Sequence, residues 1–218
     1  MRIVVAGGHG KIALLLAQSL TRRGDRVHAL IRDRVQAADI TATGGVPVIY
    51  DMERDTPADL AAEVAGADAV VFAAGAGPGS GAARKYAVDL NGSVQLADAA
   101  ERTGVRRFVQ ISTMGAGSPP ATGTDDVWAA YLDAKTRAEA DLRARPLDWT
   151  ILRPGILTDA PGNGLVTLGP PPIPRGPVPR ADVAATIASI LVADNTFRRT
   201  LELVSGADPI SAAVTAIR

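Results

Sequence analysis

The chain contains no cysteine. Disulfides, thiol catalysis and cysteine-ligated zinc are therefore excluded. Only two histidines occur, His9 and His28. They fall on different predicted elements with no carboxylate at ligand spacing, so no metal site is expected. Aromatic residues make up only 4% of the chain. Ala, Val, Leu and Gly must carry the packing, which suits a layered α/β core better than an aromatic-rich β-sandwich. Formal net charge is zero, which removes the electrostatic basis for nucleic-acid or anionic-membrane partners. No apolar run reaches membrane-spanning length. The first residues, MRIVVAGG, read as a strand and not as a signal peptide, so the expected location is cytoplasmic. Lysine is also scarce. Against an arginine-rich background only Lys11, Lys85 and Lys135 occur, and each one is worth placing.

What is present is hydrophobic: 47% of 218 residues, enough for a sizeable core in a single domain spanning 1–218. Short apolar runs alternate with helical patterns. RIVVA (Arg2–Ala6), RVHALIR, VPVIYD, DAVVFAAG, RRFVQIST, DWTILRPG and RTLELVSG read as seven strands. Between them KIALLLAQSLTRRG, DTPADLAAEVAG, roughly Ala83–Thr103, roughly Val127–Arg145 and RADVAATIASILV read as helices, and DPISAAVTAI as a terminal one. Asp55 or Thr56 can cap the second of these, with Pro57 in its first turn and Gly66 at its end. Near-continuous apolar strands alternating with helices predict a doubly wound, Rossmann-type α/β fold, its mostly parallel sheet covered by helices on both faces. Two stretches break the pattern. GAGPGSGAA (Gly75–Ala83) reads as a flexible loop and GPPPIPRGPVPR (Gly169–Arg180) as an extended proline-rich segment. Both follow C-terminal strand ends, where open α/β sheets bind ligands, so a small substrate-side region is expected within about 155–180.

VAGGHGKIALLLA joins the first strand to the first helix. Gly7, Gly10 and Ala13 have the GxxGxxA spacing, with Gly8 as an extra glycine. Gly7 permits a tight turn, Gly10 close backbone approach to a pyrophosphate, and Ala13 close helix–strand packing. On the first strand of a parallel sheet this is a strong dinucleotide signal. His9, Lys11 and Ile12 join the candidate contacts, the first two as charges near phosphate. The second strand ends ALIRDR. An acidic residue at that end, about 20 residues past the glycines, would bond the ribose of NAD. Arg32 occupies the position here, with Arg34 nearby. Arginine suits a 2′-phosphate, so NADP(H) is favoured, while Asp33 keeps NAD(H) open. Asp51 and Met52, after the third strand, are placed to receive the adenine edge.

The segment YLDAK sets Tyr131 four residues before Lys135, on one helix face. A protonated Lys135 there would favour the tyrosinate form of Tyr131. Trp128 falls on nearly the same face. GGHGKIA, DMERD, VVFAAG, VDLNGSVQLADAAERTGVRRFVQIST, YLDAKTRAEADL, DWTILRPGILTD and RADVAATI follow one another in the chain. Together they resemble the atypical short-chain dehydrogenase/reductase superfamily, and within it the NmrA-like NAD(P)H-binding group. The resemblance covers nearly the whole chain and is most specific over Val105–Gly155.

The resemblance implies a catalytic set of Thr113 or Ser112, Tyr131 and Lys135. Tyr131 would supply a proton, Lys135 would also bond the nicotinamide ribose, and Thr113 or Ser112 would hold the substrate oxygen. It also implies that Arg153–Pro154–Gly155, with Ile156 beyond, lies near the nicotinamide, and that Ala73, Ala74 and Gly75 pass along the dinucleotide. The chain departs from the pattern at Asp89, where extended members carry Asn, which puts the usual proton relay in question. The leading expectation is an NADP(H)-dependent oxidoreductase acting on a small carbonyl, quinone or flavin. Two alternatives are a non-catalytic NADP(H) redox sensor and a nucleotide-sugar epimerase or dehydratase. The last needs a larger C-terminal substrate domain than the residues after Gly155 provide. Ser112 lacks a GxSxG elbow, which argues against a hydrolase. Helices of related folds pair across subunits, so a homodimer stays open.

Overall fold

Strands β1 (Arg2–Ala6), β2 (Arg26–Ile31), β3 (Val46–Ile49), β4 (Ala69–Phe72), β5 (Arg107–Ile111) and β6 (Asp148–Pro154) are the predicted apolar runs. The computed structural model describes all 218 residues. The six strands pair in parallel in the order β3-β2-β1-β4-β5-β6. Every residue of β4 and β5 is buried, because helices cover the sheet on both sides and leave no polar face to alternate with. β10 (Arg199–Ser205) adds in parallel to β6. β8 (Leu165–Gly169) then pairs antiparallel to β10, and the short β11 (Asp208–Pro209) antiparallel to β8, which completes nine strands.

Two cores result. α1 (Lys11–Arg22), α7 (Arg180–Ile190) and α8 (Ile210–Thr215) pack on one face around Val5, Leu16, Leu152, Ile187 and Leu203. α3 (Pro57–Val64) and the helical rod that follows β4 pack on the other around Val4, Leu60, Phe72, Leu96 and Phe108. Each fully buried side chain of this size contributes about 1.5–3 kcal/mol. The short helix between β2 and β3 is α2 (Ala37–Ala42). α3 starts at a capping box in which Thr56 accepts from Asp59 N and the Asp59 carboxylate accepts from Thr56 N. α6 (Asp126–Arg143) is capped by Asp125, which accepts from the amides of Val127 and Trp128.

Beyond β8 and β11, which no expected strand covers, two regions differ from the sequence expectation. The helix expected over Ala83–Thr103 is not uniform. A short α4 (Ala82–Arg84) runs into seven residues of π-helix, Lys85–Asn91, before α5 (Gly92–Thr103). Such wide turns have no composition signature and cluster at functional sites. The proline-rich stretch is also more ordered than an extended connector. β9 (Pro177–Pro179) within it pairs in parallel with β7 (Ile156–Thr158) as a separate two-stranded sheet. Pro177 and Pro179 have no N–H, so Val178 is the one residue of β9 with a backbone donor.

The starts of the strands are closed by arginines. The buried Arg107 guanidinium donates to the carbonyls of Ile190 and Asp148 and to the hydroxyls of Thr150 and Thr196. Arg106 is bidentate with Asp148, and Arg2 donates to the carbonyl of Glu63. No helix is long and apolar enough to cross a membrane.

Candidate active site

The strand order reverses between β1 and β4, and the crevice outside their C-terminal ends is the place where such sheets bind ligands. The loop after β1 is built for close approach. Gly7 has φ +76°, and a Cβ there would lie 2.5 Å from Ala74 Cα. Gly10 is the N-cap of α1 and brings no side-chain bond to its free amides, and the first turn of α1 holds no acidic residue. That end of α1 is open to an anion.

Two cavities meet along Ala73, Ala74, Gly75 and Ala76, which line both. The first, about 260 Å³, also takes in Gly7, His9, Gly10, Arg32, Asp51 and Met52. Its wall adds Glu53 of DMERD, and Gln36, Tyr50 and Arg84, which no sequence motif marked. Arg84 is 2.9 Å from Glu53, and Arg32 stands 4.0 Å from the same carboxylate with its side chain half exposed. Asp33 does not reach this cavity; its carboxylate accepts from Val35 N and caps the turn at Arg34–Gln36. His9 pairs with Asp39 at 2.6 Å.

The second cavity, about 670 Å³, is lined by Ile12, Ser112, Thr113, Tyr131, Lys135, Gly155 and Ile156 together with Lys85, Asp89, Trp128, Leu157 and Arg175. Tyr131 and Lys135 share the expected face of α6, with Lys135 Nζ 5.8 Å from the tyrosine ring centre. Trp128 stacks beside Tyr131, ring centres 5.1 Å apart. Lys85 reaches in from the π-helical segment, its Nζ 5.5 Å from the same ring. Lys135 is buried, donates to Ile111 O and pairs with the fully buried Asp89 at 3.1 Å. The other Asp89 oxygen accepts from Ala76 N. Asp89 thus ties the loop shared by the two cavities to Lys135, and compensates a cation that would be costly to bury alone.

The two candidate hydroxyls are not equivalent. Ser112 donates at 2.6 Å to Glu139, which is fully buried and held by Arg153 and Arg143. Thr113 makes only a 3.3 Å bond to the next carbonyl and keeps its hydroxyl at the cavity wall.

Three candidates stand outside both cavities. Gly8 is turned toward β2; its N–H donates to Leu30 O, and a Cβ would strike Ala29. Lys11 pairs at 2.6 Å with Asp159, which also binds Arg180. Pro154 is buried in β6, and Arg153 turns back to Glu139 instead of facing the crevice. In each case a partner distant in sequence decides the direction, and local spacing carries no trace of it.

The residues fit a dinucleotide: a side-chain-free cradle at Gly7, an open helix end, and two cavities joined in line. The chain belongs to the NAD(P)H-binding family whose model matches residues 7–194. It is 34% identical to the Schizosaccharomyces pombe UPF0659 protein C216.03, over 97% of this chain and 92% of that one. A solved Bacillus halodurans structure, named provisionally as an NAD-dependent epimerase/dehydratase, superposes with a TM-score of 0.90 at 34% identity, covering 99% of both chains. The oxidoreductase ylbE of Lactococcus lactis superposes at 0.86 with 27% identity, over 100% of this chain and 96% of that one.

Proposed function

We propose that the protein is an NADP(H)-dependent reductase of a small carbonyl, quinone or flavin. The observation that carries this reading is the meeting of Tyr131, Lys135 and Thr113 in one cavity that opens onto the dinucleotide crevice. The reduced nicotinamide supplies a hydride equivalent when bound. Gly7, Gly10 and the first turn of α1 hold the pyrophosphate, Arg32 the 2′-phosphate, and Asp51 and Met52 the adenine edge. Ala73–Gly75 and Gly155 flank the path between the cavities. Thr113 holds the substrate oxygen, and Tyr131 gives that oxygen its proton. Lys135, fixed by Asp89 and Ile111 O, orients the ribose and keeps a positive charge beside the tyrosine.

NADP(H) is preferred over NAD(H) in this reading because Arg32 lines the cavity while Asp33 is spent as a cap. The test is NADPH oxidation by purified protein against a panel of aldehydes, quinones and flavins, with Tyr131→Phe in parallel. A rate that the substitution abolishes supports the proposal. An unchanged rate in the variant rejects Tyr131 as the acid.

One observation favours a second reading. The buried Asp89–Lys135 pair withdraws part of the lysine's charge from Tyr131, as a non-catalytic NADP(H) sensor would tolerate. Cofactor binding with no turnover across the panel would select it. A sugar epimerase or dehydratase ranks last, because only β7, β9 and their loops stand on the substrate side within 155–180.

A further inference from the structure

We infer that the ligand of the second cavity is a flat, apolar compound carrying a carboxylate, an inference that rests on reading this cavity as the substrate site. The cavity's charges are unequally satisfied. Lys135 has Asp89, and Asp125 is engaged by the amides at the start of α6. Lys85 and Arg175 have no carboxylate partner. Lys85 is only 8% exposed, and its one bond is to the carbonyl of Gly77 at 2.8 Å. A carbonyl offsets only part of the cost of burying an ammonium group. Arg175, exposed on the proline-rich segment, has no hydrogen-bonded or ionic partner at all and faces the same cavity. Exposed arginines elsewhere on the chain also lack a partner; what sets Arg175 apart is its place on this cavity, where it joins the buried Lys85 as a second cation without a carboxylate, and together they call for an anion. Arginine and lysine together match a carboxylate, the first by its planar fork and the second as a point charge.

The apolar side chains of the cavity point to a ligand independently of its charges. Trp128, Ile156 and Leu157 are 42%, 54% and 36% exposed, and all three line this cavity. Large apolar side chains left open together at a cavity mouth mark a ligand-binding surface. The tilted Trp128–Tyr131 pair offers an aromatic wall. A ring system can lie against it with its reducible carbonyl toward Tyr131 and Thr113 and its carboxylate toward the cations.

The test is calorimetric titration with 2-naphthoate and its neutral counterpart 2-naphthamide, with and without saturating NADP+. The acid should bind about tenfold more tightly than the amide. Arg175→Gln, on an exposed side chain with no partner to lose, should remove most of that preference, and Lys85→Met should do the same. Trp128→Ala should weaken both ligands alike. Equal or tighter binding of the amide, or no binding of either compound, overturns the inference. Turnover is read separately, with 4-carboxybenzaldehyde and benzaldehyde. Reduction of both at equal efficiency with no acid preference in binding defeats the carboxylate inference and leaves the reductase reading standing. Acid-selective binding without any turnover does the reverse.

Discussion

The two ends of the parallel sheet engage their buried cations to different degrees, as Arg107 and Lys85 show. At the strand starts three arginines are fully engaged: Arg107 by five backbone and hydroxyl oxygens, Arg106 by Asp148, and Arg2 by the carbonyls of Glu63 and Ala65, while Arg26 and Arg199 extend into solvent. At the strand ends Arg32 stands 4.0 Å from its nearest carboxylate, Lys85 rests on one carbonyl, and Arg175 has no hydrogen-bonded or ionic partner. The first end spends its polar groups on holding helices and strands together. The second leaves three of them without a close carboxylate, all three on the walls of the two cavities.

Substitutions should separate the two ends by what they change. The largest effect belongs to the site: Tyr131→Phe should lower the rate of NADPH oxidation by about 10²–10⁴-fold, with the urea unfolding curve unmoved. At the opposite end Arg107→Met should cost about 3 kcal/mol or more in urea unfolding, because it strips the donors from several buried oxygens. Cofactor affinity should stay as it was below the unfolding transition. Burial pushes the Arg107 guanidinium down to about 10, which still leaves it charged at neutral pH. Arg32→Ala should weaken NADPH about 10- to 100-fold, as loss of a charge-assisted bond predicts, and leave NADH nearly unaffected in the same fluorescence titration.

The smallest effect is a pH dependence at the satisfied end. Burial, and then the neighbouring Arg2, hold the His28 imidazole below its ordinary value of 6.5. Its neutral ring lies within reach of an Arg2 N–H. The unfolded chain therefore binds this proton more readily than the folded one. His28's contribution is fully present above pH 6.5 and is lost as pH falls through the lower folded value. His28→Gln should flatten that part of the stability profile.

The same contrast governs what the sequence could tell. The strands from β1 to β6, β10 and the helices between them were readable because burial on two faces leaves continuous apolar runs. Gly7, Gly10, Arg32, Tyr131 and Lys135 were readable as positions because their spacing is tied to one strand–turn–helix or one helix face. The π-helical segment was not, since KYAVDLN holds no residue that bars an ordinary α-helix; yet it brings in both Lys85 and Asp89. β7 and β9 pair residues about twenty apart through a proline-rich stretch, and no local pattern announces that. Lys11 looked like a phosphate ligand until Asp159, distant in sequence, took its charge. Arg175 has no motif at all. Its meaning comes only from its place in three dimensions, on the wall of a cavity that also holds Lys85.

The central claim is that the open end of the sheet is an NADP(H) site with Arg32 at its phosphate end. It is met most directly by titrating the unmodified protein with NADPH and with NADH and following cofactor fluorescence. The account predicts clearly tighter binding of NADPH. Equal affinities, or tighter NADH, would contradict it.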